Sequence, residues 1–236
     1  MSPEPGHPST PTQAEERGAM LALLPVAATI DYYALPDRLQ TNFLIQFAPQ
    51  LIAYLAMTIW VAQNHQVLLR LGLSTAQFSS GVKLGLLTGL GLGTFNSLVI
   101  LHLVPSLGYD ITFLKRTPHA QLPILIMIPW FICIIALFVE LNFRGFILGR
   151  LATLESSLWS SGRLRRFSPF ALLASALVFT FDPFMATTFQ HLHWIAIWDG
   201  LIWGWIWLHR RNLYATIIAH AVEVIVMYSA VRSALM

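Results

Sequence analysis

The chain has 236 residues, of which 56% are hydrophobic and only 11% charged, with a formal net charge of +3 and a mean hydropathy of +0.64. A soluble domain is about 25% charged, so this chain cannot coat a water-exposed globule of its size; a soluble enzyme, a disordered chain and a DNA-binding domain are all disfavoured. The sequence pI of 9.3 rests on scattered residues with no basic cluster interleaved with aromatics, which fits the loops of a membrane protein and no nucleic-acid partner.

In chain order, Met1 to Gly18 is polar and rich in Pro, Ser and Thr, without a basic stretch leading to a cleavage site. It reads as a short disordered cytoplasmic tail, with residues 19–236 forming one transmembrane domain. Apolar runs of about the 20 residues a span needs follow at 19–35, 42–62, 82–104, 122–150, 168–188, 194–208 and 213–232. Asp31 weakens the first and the sixth is short. The runs are continuous, with no alternation at a period of two, so they predict helices and not a barrel. The expected fold is all-α: a polytopic bundle of about seven spans. Cys133 stands alone within the fourth run, which excludes an internal disulfide.

Basic residues orient this bundle. Arg17, Arg70, Lys83, Arg150, Arg163, Arg165, Arg166, Arg210 and Arg211 fall on the N-terminal side, against Arg38, Lys115, Arg116 and Arg232 on the other. The N-terminus is therefore predicted to be cytoplasmic. Within the third run, Gly85, Gly89 and Gly93 repeat every four residues on one helix face. No strand precedes them and no Lys-Ser/Thr follows, so they read as a close-packing stripe and not a phosphate loop. His65 and His102 read as polar helix ends or loop residues. Trp198, Trp203, Trp205 and Trp207 are expected to face lipid or the interface.

Ionisable residues inside spans are costly and are therefore site candidates. Glu140 and Arg144 are spaced i, i+4 with the acid N-terminal, the favourable order on one helix face. They read equally as a structural ion pair and as a positioned carboxylate with an arginine support. His220 and Glu223, three residues apart in the last run, also share a face. Counting helix rise, His220 lies about 12 Å deep and Glu140 about 15–18 Å deep from the same side. A carboxylate and an imidazole at one depth are the parts of a general-base hydrolase.

These residues resemble the CPBP family of intramembrane proteases, which includes CAAX prenyl proteases and Abi (bacteriocin-immunity) proteins. The family's first motif is Glu-Glu-x-x-x-Arg and its last His-x-x-x-Asn, after a short basic turn. Val139-Glu140-Leu-Asn-Phe-Arg144-Gly145 and Arg210-Arg211-Asn-Leu-Tyr214-Ala215, leading to Ala219-His220-Ala221, carry the resemblance over about residues 120–232. Val139 stands at the first Glu position and Val224 at the Asn position. The middle motif, Phe-x-x-x-His, is matched literally by Phe189 and His193, with His191 beside them; by helix position the counterpart is the segment from Phe179 to Pro183, with Asp182. A helix broken at Pro183 would fold the two histidines back toward the bundle.

The resemblance implies an intramembrane endopeptidase acting on a membrane-embedded or lipidated protein. Glu140 (or a nearby carboxylate) would be the base, Arg144 its support, and His191 or His193 with His220 would orient water or stabilise the oxyanion, in a polar cavity between their helices. Zinc is a conceivable ligand of two histidines and a carboxylate, but His-Glu-x-x-His is absent and no cofactor is expected. The alternative is a non-catalytic relative, an immunity or maturation factor that keeps the scaffold.

Overall fold

The computed structural model describes residues 16–158 and 167–235, with the side chains of 118, 119 and 131–133 left aside. Most of the stretch expected to be a tail, and Arg163, Arg165 and Arg166, lie outside the described residues. Those described are helical almost throughout and contain no strand, so the fold is an all-α polytopic bundle.

Helix α1 (Ala19–Ala34) opens the bundle as a short apolar helix whose first turn is 3-10. Helix α2 spans Phe43–Gln63, with the Asn42 side chain accepting from the Leu44 N–H as its N-cap. Helix α3 (Phe78–Leu98) runs on through a π-helical segment, Val99–Leu103, to Ser106. Helix α4 (Ile124–Leu158) is interrupted by π-helical turns at Trp130–Ala136 and Leu141–Leu148. The first begins beside Pro129, which has no N–H for the helical ladder. Helices α5 (Pro169–Thr180) and α6 (Pro183–Arg210) meet at 51°, and α7 (Leu213–Leu235) closes the bundle.

Seven separate spans are not what the helices provide. Among the described residues, four stretches are long and apolar enough to cross a membrane: Phe43–Gln63, Val67–Ser106, Ile124–Leu158 and Leu213–Leu235. The fifth and sixth expected spans form the one bent pair, α5 and α6. The bend has a local cause: the Asp182 side chain caps α6 by accepting from the Met185 N–H at 3.1 Å, ahead of Pro183. Gln50 of α2 donates to both Asp182 oxygens at 3.0 Å and fixes the corner.

Two features place the site. First, α4 is buried on all sides from Asn142 to Arg150, as expected of a helix at the centre of a bundle. Second, α3 lies flush against α7 through the glycine stripe, which Gly81 extends by one turn. A Cβ at Gly85 would meet the Ala215 carbonyl oxygen at 2.7 Å, and one at Gly89 the Ala219 carbonyl oxygen at 2.6 Å. Only hydrogen at these positions lets the two backbones approach so closely.

The expected tail ends in an anchor. Glu16 is buried and ion-paired with Arg150 of α4 and with Arg70, whose Nη1 is 3.6 Å away. It also accepts from Trp60 Nε1 at 3.0 Å and Thr153 Oγ1 at 3.2 Å. Arg211 lies within the same electrostatic field, and its burial lowers its pKa.

Candidate active site

The central helix brings three of the predicted residues together. Glu140 is fully buried; its Oε1 accepts from His220 Nδ1 at 3.0 Å and lies 3.1 Å from Arg144 Nη1. The carboxylate thus sits between an arginine one turn along its own helix and an imidazole from α7, as the matched depths predict. The Arg144 guanidinium lies 4.2 Å from the centre of the Phe179 ring and 5.0 Å from that of Trp203. Trp203 stacks on His220 at 4.7 Å with 23° between the planes. His220 is thereby fixed by a hydrogen bond at Nδ1 and an indole along its face, which leaves Nε2 for chemistry.

Trp203 and Trp207 are 2% and 0% exposed, so the expectation that they face lipid is corrected, whereas Trp205 is 52% exposed. The reason is helical phase. Asp199, Trp203 and Trp207 recur every four residues on the inner face of α6, and Trp205 points the other way.

A cavity of about 450 Å³ opens beside this group, walled mainly by apolar side chains. His220 reaches it; Glu140 is not among its lining residues and stands behind the imidazole. Val139 and Val224 both line it, so the two positions at which the chain departs from the family motifs face the same space. Lys115 and Arg232 also line it. The expected polar cavity is in fact a largely apolar one with a polar floor.

The middle-motif histidines are not brought onto Glu140. His193 lines the cavity, donates from Nδ1 to the Gln190 carbonyl and packs edge-on against Phe181. His191 stacks on Tyr109 at 5.2 Å and meets Phe113 edge-on. Its neighbourhood includes Asp110, whose carboxyl is held below its ordinary pKa chiefly by the Thr112 backbone N–H and then by the Thr112 hydroxyl. The break at Pro183 does fold this segment inward, but only far enough for His193 to reach the cavity. Asp182, the positional alternative, is occupied as helix cap and Gln50 partner.

Three residues that sequence reasoning did not assemble complete the floor. Asn96 of α3, fully buried, donates from Nδ2 to Glu223 Oε1 at 2.7 Å and to the two Asp199 oxygens at 3.2 and 3.3 Å. Its own Oδ1 accepts from Trp198 Nε1 at 2.9 Å. Asp199 and Glu223 line the cavity and converge on the same Asn96 amide nitrogen. Among the described residues no three His, Cys, Asp or Glu side chains are grouped to hold a metal ion.

Residues 121–226 match the family model of Rce1-like type II CAAX prenyl endopeptidases. No curated protein and no solved structure matches the chain. The matched segment contains Glu140, Arg144, Asp199, His220 and Glu223, whereas Asn96 lies outside it. Over residues 121–226 the chain is thus similar to CAAX-type membrane endopeptidases, in agreement with the resemblance carried by its motifs.

Proposed function

We propose that the protein is an intramembrane endopeptidase that hydrolyses a peptide bond of a membrane-embedded or lipidated protein. The observation that carries this reading is the buried Glu140–His220 hydrogen bond, which presents the imidazole to an apolar cavity within the matched segment. Glu140 holds the Nδ1–H tautomer of His220, and Arg144 holds Glu140. His220 Nε2 then takes a proton from a water as its oxygen adds to the substrate carbonyl carbon, and Glu140 stabilises the imidazolium so formed. The roles expected from sequence shift accordingly, with the base being His220 and its orienting carboxylate Glu140. His193 contacts substrate from the cavity wall, and His191 takes no part in the chemical step. The reaction is carried by side chains alone, with no cofactor. A cavity of this size lies within the range that binds small-molecule or lipid-like groups, which suits an apolar chain next to the scissile bond. The integral membrane location follows from the long apolar helices; the cytoplasmic N-terminus and a bacterial inner membrane belong to the proposal.

The test is hydrolysis of an internally quenched peptide with a farnesylated C-terminal CAAX sequence by the purified protein in liposomes. Wild-type cleavage is expected, with a loss of about 100-fold or more in His220→Ala and a large loss in Glu140→Gln. Cleavage unaffected by His220→Ala overturns the mechanism. A second reading, a non-catalytic relative acting as immunity or maturation factor, is favoured by Val139 and Val224 on the cavity wall. Under that reading the same variants lower stability and the wild type cleaves nothing.

A further inference from the structure

His220 can remove a proton from water, but hydrolysis also needs a group that gives one to the carbonyl oxygen. Near His220, the cavity wall offers two valines, Val139 and Val224, and the carboxyl groups of Asp199 and Glu223. Glu223 is 2% exposed and shares the His220 face of α7; Asp199 is 5% exposed and sits one turn before Trp203, the residue stacked on His220. Asn96 supplies the N–H donors this pair receives from a side chain. Glu223 Oε2 is buried and receives no N–H or hydroxyl donor, while Glu223 Oε1 and the Asp199 carboxyl converge on the same Asn96 Nδ2. Two buried carboxyl groups converging on one amide nitrogen favour a shared proton, since two bare carboxylates would repel. Trp203 Nε1, on the same wall, is a buried donor with no protein partner. The floor of the cavity thus carries a carboxyl pair and an indole N–H beside the base.

We infer that Asp199 and Glu223, held by Asn96, are the catalytic acid of this site. The inference rests on the peptidase reading above. As water oxygen bonds to the carbonyl carbon, His220 Nε2 takes the water proton and the pair passes its proton to the carbonyl oxygen. The resulting neutral gem-diol breaks down when the His220 imidazolium protonates the amide nitrogen and the C–N bond cleaves. One gem-diol hydroxyl returns its proton to the pair as the new carboxylic acid forms. One amide and one water are consumed, one acid and one amine are released, and both His220 and the pair regain their starting states.

The experiment compares wild type, Asp199→Asn, Glu223→Gln and the double variant in the liposome assay with the farnesylated peptide, alongside infrared difference spectra of each single variant against wild type. Both substitutions keep side-chain size. Expected are a loss of about 100-fold in kcat for each single variant, from the range for general acid–base groups, KM within threefold, and a double variant no worse than the singles. The stretch of a protonated carboxyl should appear in wild type and vanish in both singles, as a shared proton requires. If wild type and His220→Ala behave as a peptidase predicts while either single variant retains kcat within threefold, the acid assignment is overturned and the peptidase reading stands. Loss of kcat without a protonated-carboxyl band also overturns it. Absence of wild-type cleavage overturns both.

Discussion

The contact between α3 and α7 yields a prediction with its own control. Gly89→Ala would place a Cβ 2.6 Å from the Ala219 carbonyl oxygen, 2.8 Å from Val222 Cβ and 3.1 Å from Ala219 Cα. Two of these three neighbours are backbone atoms and cannot swing aside. Ordinary contact begins near 3.5 Å, so the helices must part by roughly an ångström. Overpacking of this kind costs about 1–3 kcal/mol. At Gly91, two residues on, an added Cβ meets nothing within 4 Å. Both substitutions gain the same preference of alanine over glycine in a helix, about 0.5–1 kcal/mol. That term cancels between them, so the difference in stability isolates the packing cost. The assay is unfolding of the purified variants in mixed micelles by increasing dodecyl sulfate, followed by tryptophan fluorescence. Gly91→Ala should match or exceed wild type, with Gly89→Ala about 1–3 kcal/mol below it. Ala219 adjoins His220, whose bond to Glu140 is 3.0 Å long, so the same displacement should also depress hydrolysis more than stability alone explains. Equal midpoints for the two variants would refute the claim that the stripe sets the helix separation.

Other substitutions test the buried charges and the bend. Arg144→Leu leaves Glu140 with an imidazole alone and should destabilise by about 3–5 kcal/mol, whereas the double variant Glu140→Leu/Arg144→Leu should recover much of that loss; a double-mutant cycle in the micelle assay measures the coupling. Glu16→Ala strands Arg150 in the interior and should cost a similar amount, about 3–5 kcal/mol, while Trp60→Phe, which removes one hydrogen bond to Glu16, should cost about 1 kcal/mol. Asp182→Ala removes the cap of α6 and leaves the Gln50 amide without its partner, a loss of about 1–3 kcal/mol. If spin labels on α5 and α6 report an unchanged angle and the unfolding midpoint does not move, the cap does not hold the bend.

What could be read in advance follows the range of the interactions. Glu140 and Arg144 meet within one turn of one helix, and the glycine stripe declares a packing face by its period alone, so both were legible in the sequence. His220 was legible because helix rise places it near the depth of Glu140. The Asp199–Asn96–Glu223 group was not. Asn96 is 103 residues from Asp199 and 127 from Glu223, and nothing in three separate apolar runs says which polar residue of one turns toward the others. A usable signal existed in α6: Asp199, Gly200, Trp203, Gly204 and Trp207 form one face with an acid, two small residues and two large donors. Such a face is poorly suited to lipid, and Trp205 on the opposite side is the residue that does face outward.

The same reasoning explains why the span count and the middle motif misled. Hydropathy carries the fifth apolar run through Pro183 to residue 188 and places the break after it, and it does not see that Asp182 caps the helix beginning at Pro183 while Gln50 satisfies the cap. That pairing makes one bent unit of what reads as two spans, and it also decides the fate of the histidines. With the chain turned by 51° at the corner, His193 is carried to the cavity wall and His191 to the aromatic patch of Tyr109 and Phe113, so neither reaches Glu140. The carboxylates that do reach the cavity come from the inner face of α6 and from α7. With valine at two motif positions facing that cavity, the proposed hydrolysis needs an acid from outside the motifs, and Asp199 and Glu223, which line the cavity together with His220, are the groups proposed to supply it.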